Sequence, residues 1–142
     1  MDIIDLTKEK LVGNYRFEKI GEYSLQNNDM ISNDIGFTKE VLKVREKLVY
    51  AFVVDDLVMY IGKTKRGFKR PLSYHKDYNN PEKKRAVHER IREVIRKNKI
   101  EIFARVFEGE IKVENIEIMF NPYVCVEEAL IKEFQPKWNK EK

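Results

Sequence analysis

Two short runs, Leu48 to Val54 and Leu57 to Ile61, are rich in Val, Tyr and Phe and are split by Asp55-Asp56. Branched and aromatic side chains in runs of this length, broken by turn-forming residues, predict a β-hairpin. Side chains alternate along a strand, so the turn decides which residues share a face. A two-residue turn at Asp55-Asp56 pairs Val54 with Leu57 and hence Ala51 with Tyr60, sending Tyr50 and Tyr60 to opposite faces. A three-residue loop or a bulge sets the two phenols side by side, and that register is expected if both serve one site. Gly62 closes the second run where backbone must come close to something, either a ligand or the following helix.

Beyond the hairpin, Lys65 to Tyr78 reads as a short helix in which Pro71 is tolerated only within the first turn, leaving Arg70 at the helix mouth. A second helix starts at Asn80 as N-cap with Pro81 at its first position. Its apolar stripe is Val87, Ile91, Val94 and Ile95, and Lys84, Arg85, Arg92 and Arg96 lie on the wet side. Ile100 to Phe107 alternates loosely and predicts a third strand, turned at Glu108-Gly109. Ile111 to Phe120 adds a strand or an extended insertion. The final helix, Val126 to Phe134, places Glu127, Leu130, Ile131 and Phe134 at i, i+3, i+4 and i+7. Glu127 therefore shares the sheet-packing face, while Glu128 is rotated about 100° away.

Residues 1–45 are the least readable part. Gly13-Asn14, Gly21, Asn27-Asn28-Asp29 and Asn33-Asp34 punctuate short mixed segments, predicting loops with one or two strands. Tyr15-Arg16-Phe17 is a candidate strand, and Thr38 caps a short helix through Val44. No internal repeat, low-complexity stretch or Gly/Ser linker interrupts the chain.

Length and composition bound the answer loosely. At 142 residues the chain fits a single core. No apolar run approaches the ~18 to 20 residues of a membrane span, and Met1-Asp2 does not begin a signal peptide, so a cytoplasmic protein with no membrane partner is expected. Cys125 is the only cysteine, which excludes an internal disulfide and a cysteine-built zinc site and leaves a buried structural thiol as its expected role.

Charge changes the picture more. The overall charge is +4, but Tyr60 to Lys99 holds 14 Lys or Arg against four acids, 10 net positive, so the rest of the chain is 6 net negative. Clustered cations are the footprint of a polyanion partner, whose released counterions would supply sequence-independent affinity. Lys63, Lys65, Arg66, Lys69, Lys84, Arg85, Arg92 and Arg96 are the candidate nucleic-acid contacts. A solvated helix face is the plainer alternative, and Lys- and Glu-rich chains also occur in heat-adapted proteins.

Tyr50 and Tyr60, taken singly, read as half-buried strand residues. Their spacing with Lys63, Arg70, Tyr74 and a later carboxylate instead brings two phenols and a guanidinium within reach of one phosphate, as phosphodiester hydrolysis requires. The runs Leu48-Val49-Tyr50 and Met59-Tyr60-Ile61-Gly62, followed by Arg70 and then by Glu127-x-x-Leu130-Ile131-x-x-x-x-Pro136-x-x-Asn139, resemble a GIY-YIG nuclease domain over about Leu48 to Asn139. Lys63 and Tyr74 are similar in spacing to the nuclease domain of the bacterial nucleotide-excision-repair incision protein. Homing-type members usually have histidine at the position of Tyr74, and His75 lies one residue late, so the base is either of the two.

The resemblance implies an α+β fold, a small three-stranded antiparallel sheet flanked by helices over residues 46–142, with 1–45 as an N-terminal extension. It implies a single-metal DNA endonuclease of restriction or repair type, with catalytic Tyr50, Tyr60, Lys63, Arg70, Tyr74 or His75, Glu127 and Asn139. Glu127 would hold Mg²⁺ or Mn²⁺, Arg70 would stabilise phosphate charge, and Asn139 would position the phosphate or the preceding loop. A phenolate at Tyr60 or Tyr74 would take a proton from water, which requires a pKa well below ~10. The expected partner is double-stranded or branched DNA, not a small molecule. Leu48 and Val49 stand where the family usually has glycine and isoleucine, and Pro71 after Arg70 is unusual. The insertion between Phe107 and Glu127 extends the sheet, covers the site or makes a homodimer contact. A catalytically silent nucleic-acid-binding module is the alternative, and a structural domain that binds no nucleic acid comes third.

Overall fold

The structure, a computed structural model, describes residues 4–77, 80, 82, 85–109, 111–112 and 119–140. In chain order the elements are α1 (Lys8–Gly13), β1 (Glu18–Gln26), β2 (Asp29–Asp34), α2 (Lys39–Lys43), β3 (Leu48–Val54) and β4 (Leu57–Thr64). Two 3₁₀ turns, Gly67–Lys69 and Tyr74–Asp77, lead to α3 (Ala86–Val94), β5 (Ile100–Val106), β6 (Ile111–Lys112), β7 (Met119–Phe120) and α4 (Pro122–Phe134). A 3₁₀ turn, Lys137–Asn139, follows. Among the described residues no helix is long and apolar enough to cross a membrane.

The main sheet is antiparallel with order β2-β1-β5-β3-β4, so it has five strands where three were expected. The two additional strands come from the N-terminal segment, where one or two strands were expected but not their pairing with the main sheet. Asn27 and Asn28 both take left-handed φ, 51° and 69°, which makes the tight β1-β2 turn, and β1 pairs along the free side of β5. Tyr15-Arg16-Phe17 is not a strand, because Arg16 has φ 62° and breaks any extended run. Central β3 is buried at all seven positions, since helices and turns cover both of its faces. On one face Val49, Ala51, Val53, Val58 and Ile61 pack with Tyr123, Leu130 and Phe134 of α4. Tyr50, Phe52, Ile102 and Tyr74 pack on the other, with Val87, Ile91 and Ile95 at α3.

Both elements of the register puzzle are present in the hairpin. Asp55 and Asp56 form a two-residue turn with φ 48° and 65°, and Val54 pairs with Leu57 and Val53 with Val58. The register then shifts, pairing Phe52 with Tyr60, Ala51 with Ile61 and Tyr50 with Gly62. Met59 is the extra residue of a β-bulge, and it reverses the face on which Tyr60 would otherwise stand.

Elsewhere the differences are local. Between Lys65 and Asp77 there are two 3₁₀ turns rather than one helix, because the Tyr74 amide donates to Tyr23 Oη at 2.9 Å instead of to the preceding turn; Tyr78 lies outside the described residues. Helix α3 starts at Ala86, while Asn80 Oδ1 accepts from the Glu82 amide at 3.0 Å in a turn of its own; Pro81 and Lys84 lie outside the described residues. Thr38 caps α2 as expected, accepting from the Val41 amide at 3.2 Å. Helix α4 begins at Pro122, four residues early, and its Cys125 is exposed rather than buried, being about 200° around the helix from buried Tyr123. In the insertion β6 and β7 pair with each other, and the segment between them is outside the described residues.

Gly62 carries the tightest contact in the hairpin. A Cβ there would lie 2.5 Å from Tyr50 Cζ, so only glycine lets the Tyr50 ring cross the neighbouring strand. Gly62→Ala is expected to destabilise the fold by about 1–3 kcal/mol through overpacking. Urea denaturation of Gly62→Ala with and without Tyr50→Leu checks this: the smaller side chain should relieve most of the cost, and strictly additive losses would exclude the ring contact as its source.

Candidate active site

The bulge brings three phenols together. Tyr50 and Tyr60 have ring centroids 6.3 Å apart, with Phe52 stacked on Tyr60 at 5.7 Å. Tyr74, from the second 3₁₀ turn, shares a 2.6 Å hydrogen bond with the Tyr50 hydroxyl. Arg70 lays its guanidinium 4.5 Å from the centre of the Tyr74 ring, a cation-π contact that fixes its direction. Tyr50 and Tyr74 are buried, whereas Tyr60 is only partly so.

Burial governs how these groups ionise. The Tyr60 phenol is pushed up to about 12, chiefly by desolvation and then by Tyr74, with the nearby Arg85 guanidinium pulling the other way. Desolvation also raises Tyr50 well above the ordinary phenol range. Both are therefore neutral near pH 7, whereas a proton-accepting phenolate at Tyr60 or Tyr74 requires a pKa well below ~10. Burial works against the Arg70 charge, but Tyr74, Tyr50 and Asp77 outweigh it and the net effect keeps the guanidinium protonated.

Glu127 and Lys63 lie on the other side of β4. Lys63 stands two residues on from Ile61, shares its face and so faces α4, where its Nζ meets Glu127 Oε1 at 2.8 Å. The Glu127 side chain is 12% exposed and that of Lys63 37%, while Glu128 points to solvent. The hydrogen bond to Glu127 raises the Lys63 pKa, so the ammonium persists. The phenol and guanidinium cluster and the carboxylate thus flank one edge strand, with Gly62 between them. Asn139 grips the same strand: its Oδ1 accepts from the Ile61 amide and its Nδ2 donates to the Ile61 carbonyl, each at 2.8 Å. On a sheet edge those two backbone groups have no strand partner, and the amide side chain supplies one.

Of the two candidate bases, only Tyr74 joins the cluster. His75 turns toward Tyr23, with ring centroids 6.0 Å apart, and burial lowers its pKa. Among the basic candidates Lys65, Arg66, Lys69, Arg85 and Arg96 are exposed. Arg92 is engaged with Glu89 at 2.8 Å and with the carbonyls of Asp77 and Asn80.

Two residues of the site give no signal in the sequence. Tyr23 of β1 is fully buried, donates to the Pro71 carbonyl and accepts from the Tyr74 amide, and so holds the segment that carries Arg70 and Tyr74. Buried His88 of α3 backs the Tyr74 ring at 5.6 Å and sits 3.3 Å from Asp77. Both lie far in sequence from what they hold, so no local spacing links them to it.

No protein-family model matches the sequence, and no curated protein does. Among solved structures, the chain is similar to a glutamate-to-alanine mutant of bacteriophage T4 EndoII, with a TM-score of 0.67 and 26% identity over 94% of this chain and 99% of that one. It also shares its fold with the restriction endonuclease HPY188I in complex with product DNA, with a TM-score of 0.53 and 18% identity over 99% of this chain and 85% of that one.

Tyr23→Phe should leave the Tyr74 amide and the Pro71 carbonyl buried without their partner, costing about 1–3 kcal/mol in denaturant melts. Unchanged stability would show that water replaces the hydroxyl. For Tyr60, the unfolded phenol loses its proton near ~10 and the folded one near about 12, so over that interval the unfolded chain binds fewer protons and stability falls as pH rises. Stability measured from pH 9 to 12 should fall less steeply in Tyr60→Phe, by about one proton; identical slopes would refute the assignment.

Proposed function

We propose that this chain is a DNA endonuclease that hydrolyses phosphodiester bonds through a GIY-YIG-type site with one divalent ion, in restriction or repair. The observation that carries the reading is the grouping of Tyr50, Tyr60, Tyr74 and Arg70 on one side of edge strand β4 and of Lys63 with Glu127 on the other. The likeness to EndoII over nearly the whole of both chains supports it, as does the HPY188I structure, whose fold is the same and which holds product DNA.

In this reading a phosphate lies against the edge of β4. Arg70, aimed by the Tyr74 ring and kept charged, stabilises the negative charge that grows on the phosphate as the bond breaks. Tyr60, the one phenol of the three that reaches solvent, orients the attacking water by hydrogen bonding, and Arg85 beside it favours release of its proton. Tyr74 and Tyr50 stand behind Tyr60 and fix it. Asn139 acts by holding the strand and is a positioning residue.

Glu127 fits a hard divalent ion on the chemistry of its donors. Its carboxylate is largely shielded, and one oxygen is held by Lys63. Among the described residues no cluster of three His, Cys, Asp or Glu side chains accompanies it. A single carboxylate suits Mg²⁺ or Mn²⁺, ions that keep most of their waters, and does not suit a fully protein-caged metal. When bound, the ion would supply Lewis-acid stabilisation of phosphate charge.

Nicking of supercoiled plasmid with and without Mg²⁺ tests the proposal. The wild type should cleave only with the ion. Glu127→Gln should lose cleavage while retaining DNA binding, and exposed Glu128→Gln should keep most activity. DNA binding without cleavage under any divalent ion would make the chain a binding module. Loss of activity in Glu128→Gln with an active Glu127→Gln would overturn the site.

A further inference from the structure

A cavity of about 590 Å³ opens beside Arg70, and none of the three phenols lines it. Lys43 and Arg45 line it from the end of α2 and just beyond, Arg66 and Lys69 from the first 3₁₀ turn and the residue before it, and Lys76 from the second. The lining has one carboxylate, Asp77, and that carboxylate lies 3.3 Å from His88. A second cavity of about 380 Å³ shares Lys43, Lys69 and Lys76 with the first and runs on to Lys39 and the end of β2. Among the described residues, Lys43, Arg45, Arg66, Lys69 and Lys76 have no carboxylate within ion-pair distance. Cations gathered this closely and unpaired, with Asp77 and Asp34 the only carboxylates among the described lining of the two cavities, repel one another, and an anion relieves that repulsion.

The walls are locked together. Gly67 has φ 75°, its amide donates to the Glu46 carbonyl at 3.0 Å, and a Cβ there would collide with the Val44 carbonyl. Phe37, just before α2, stacks on Phe68 at 4.8 Å. Lys43 and Arg45 are thus held opposite Arg66 and Lys69 by backbone and ring contacts, and the trough exists before any ligand arrives.

Resting on the endonuclease reading above, we infer that this trough binds the backbone phosphates of the substrate strand next to the scissile one. Arg70 belongs to both the trough and the phenol cluster, so an anion seated in the trough adjoins the phosphate at the reacting end. The trough has no aromatic wall to stack a base, so it reads backbone and not sequence. Lys43 and Arg45 come from the N-terminal segment, which thereby supplies half of the strand's seat.

The test measures binding apart from cleavage. A fluorescein-labelled DNA duplex is titrated in EDTA over a series of salt concentrations with wild type, the double variant Lys43→Ala/Arg45→Ala, the single variant Lys76→Ala, and a control, Lys10→Ala/Lys132→Ala, that removes the same charge on the opposite face of the sheet. Loss of two phosphate contacts should reduce the salt slope of log K by roughly 1.8, and loss of one by roughly 0.9, while the control keeps the wild-type slope. The three variants change exposed residues apart from half-buried Lys10, and matching circular dichroism melts establish that they fold. Trough variants with the control's slope overturn the inference, and if the wild type still cleaves plasmid the endonuclease reading survives it. A wild type that binds with the expected slope differences but never cleaves leaves the trough standing and removes the nuclease. A wild type that does not bind the duplex overturns both.

Discussion

One extra residue in β4 sets the geometry of the whole candidate site. Side chains change face at every residue of a strand, so the two-residue turn at Asp55-Asp56 would put Tyr60 among the α4-facing side chains. Met59 absorbs one position, and from there Tyr60, Gly62 and Thr64 align with Phe52, Tyr50 and Leu48. Gly62 then falls under the Tyr50 ring, where any side chain would collide. The same shift turns Lys63 toward α4 and into contact with Glu127. Phenols on one side and a carboxylate on the other are therefore consequences of a single register change.

Burial then decides what the assembled groups are. Desolvation raises Tyr60 and Tyr50 and keeps them neutral, whereas Arg70 and Lys63 hold their charges because phenolic oxygens or a carboxylate surround them. The site at rest is a set of hydrogen-bond donors with fixed positive charges, an arrangement suited to a phosphate whose charge grows during reaction. It differs from a site with a standing phenolate, which the desolvation of Tyr50 and Tyr60 resists.

The N-terminal segment is bound into this arrangement at two points. Through Tyr23, β1 fixes the Pro71–Tyr74 segment, and α2 packs on the Gly67–Lys69 turn by a contact that only glycine permits. Strand β1 also completes the pairing of β5, which would otherwise present an open edge. The segment is part of the sheet and lines the cavity beside Arg70.

The hairpin, the α3 stripe, the third predicted strand and the inward choice of Glu127 over Glu128 were legible because each is carried by a local period, two along a strand or 3.6 along a helix. The order Tyr50, Tyr60, Lys63, Arg70, Tyr74, Glu127, Asn139 was legible too, since spacing survives in one dimension. The place of the bulge was not: it leaves no mark on composition, Met59 reads as any other strand residue, and the register that sets the phenols together was expected only from their serving one site. Neither were the five-stranded sheet, Tyr23 and the α2 wall, because each depends on pairing between residues tens of positions apart. Residue types set which chemistry this chain holds, and long-range packing decided where each group stands and how it is charged, because alternation, burial and edge pairing are properties of neighbours in space.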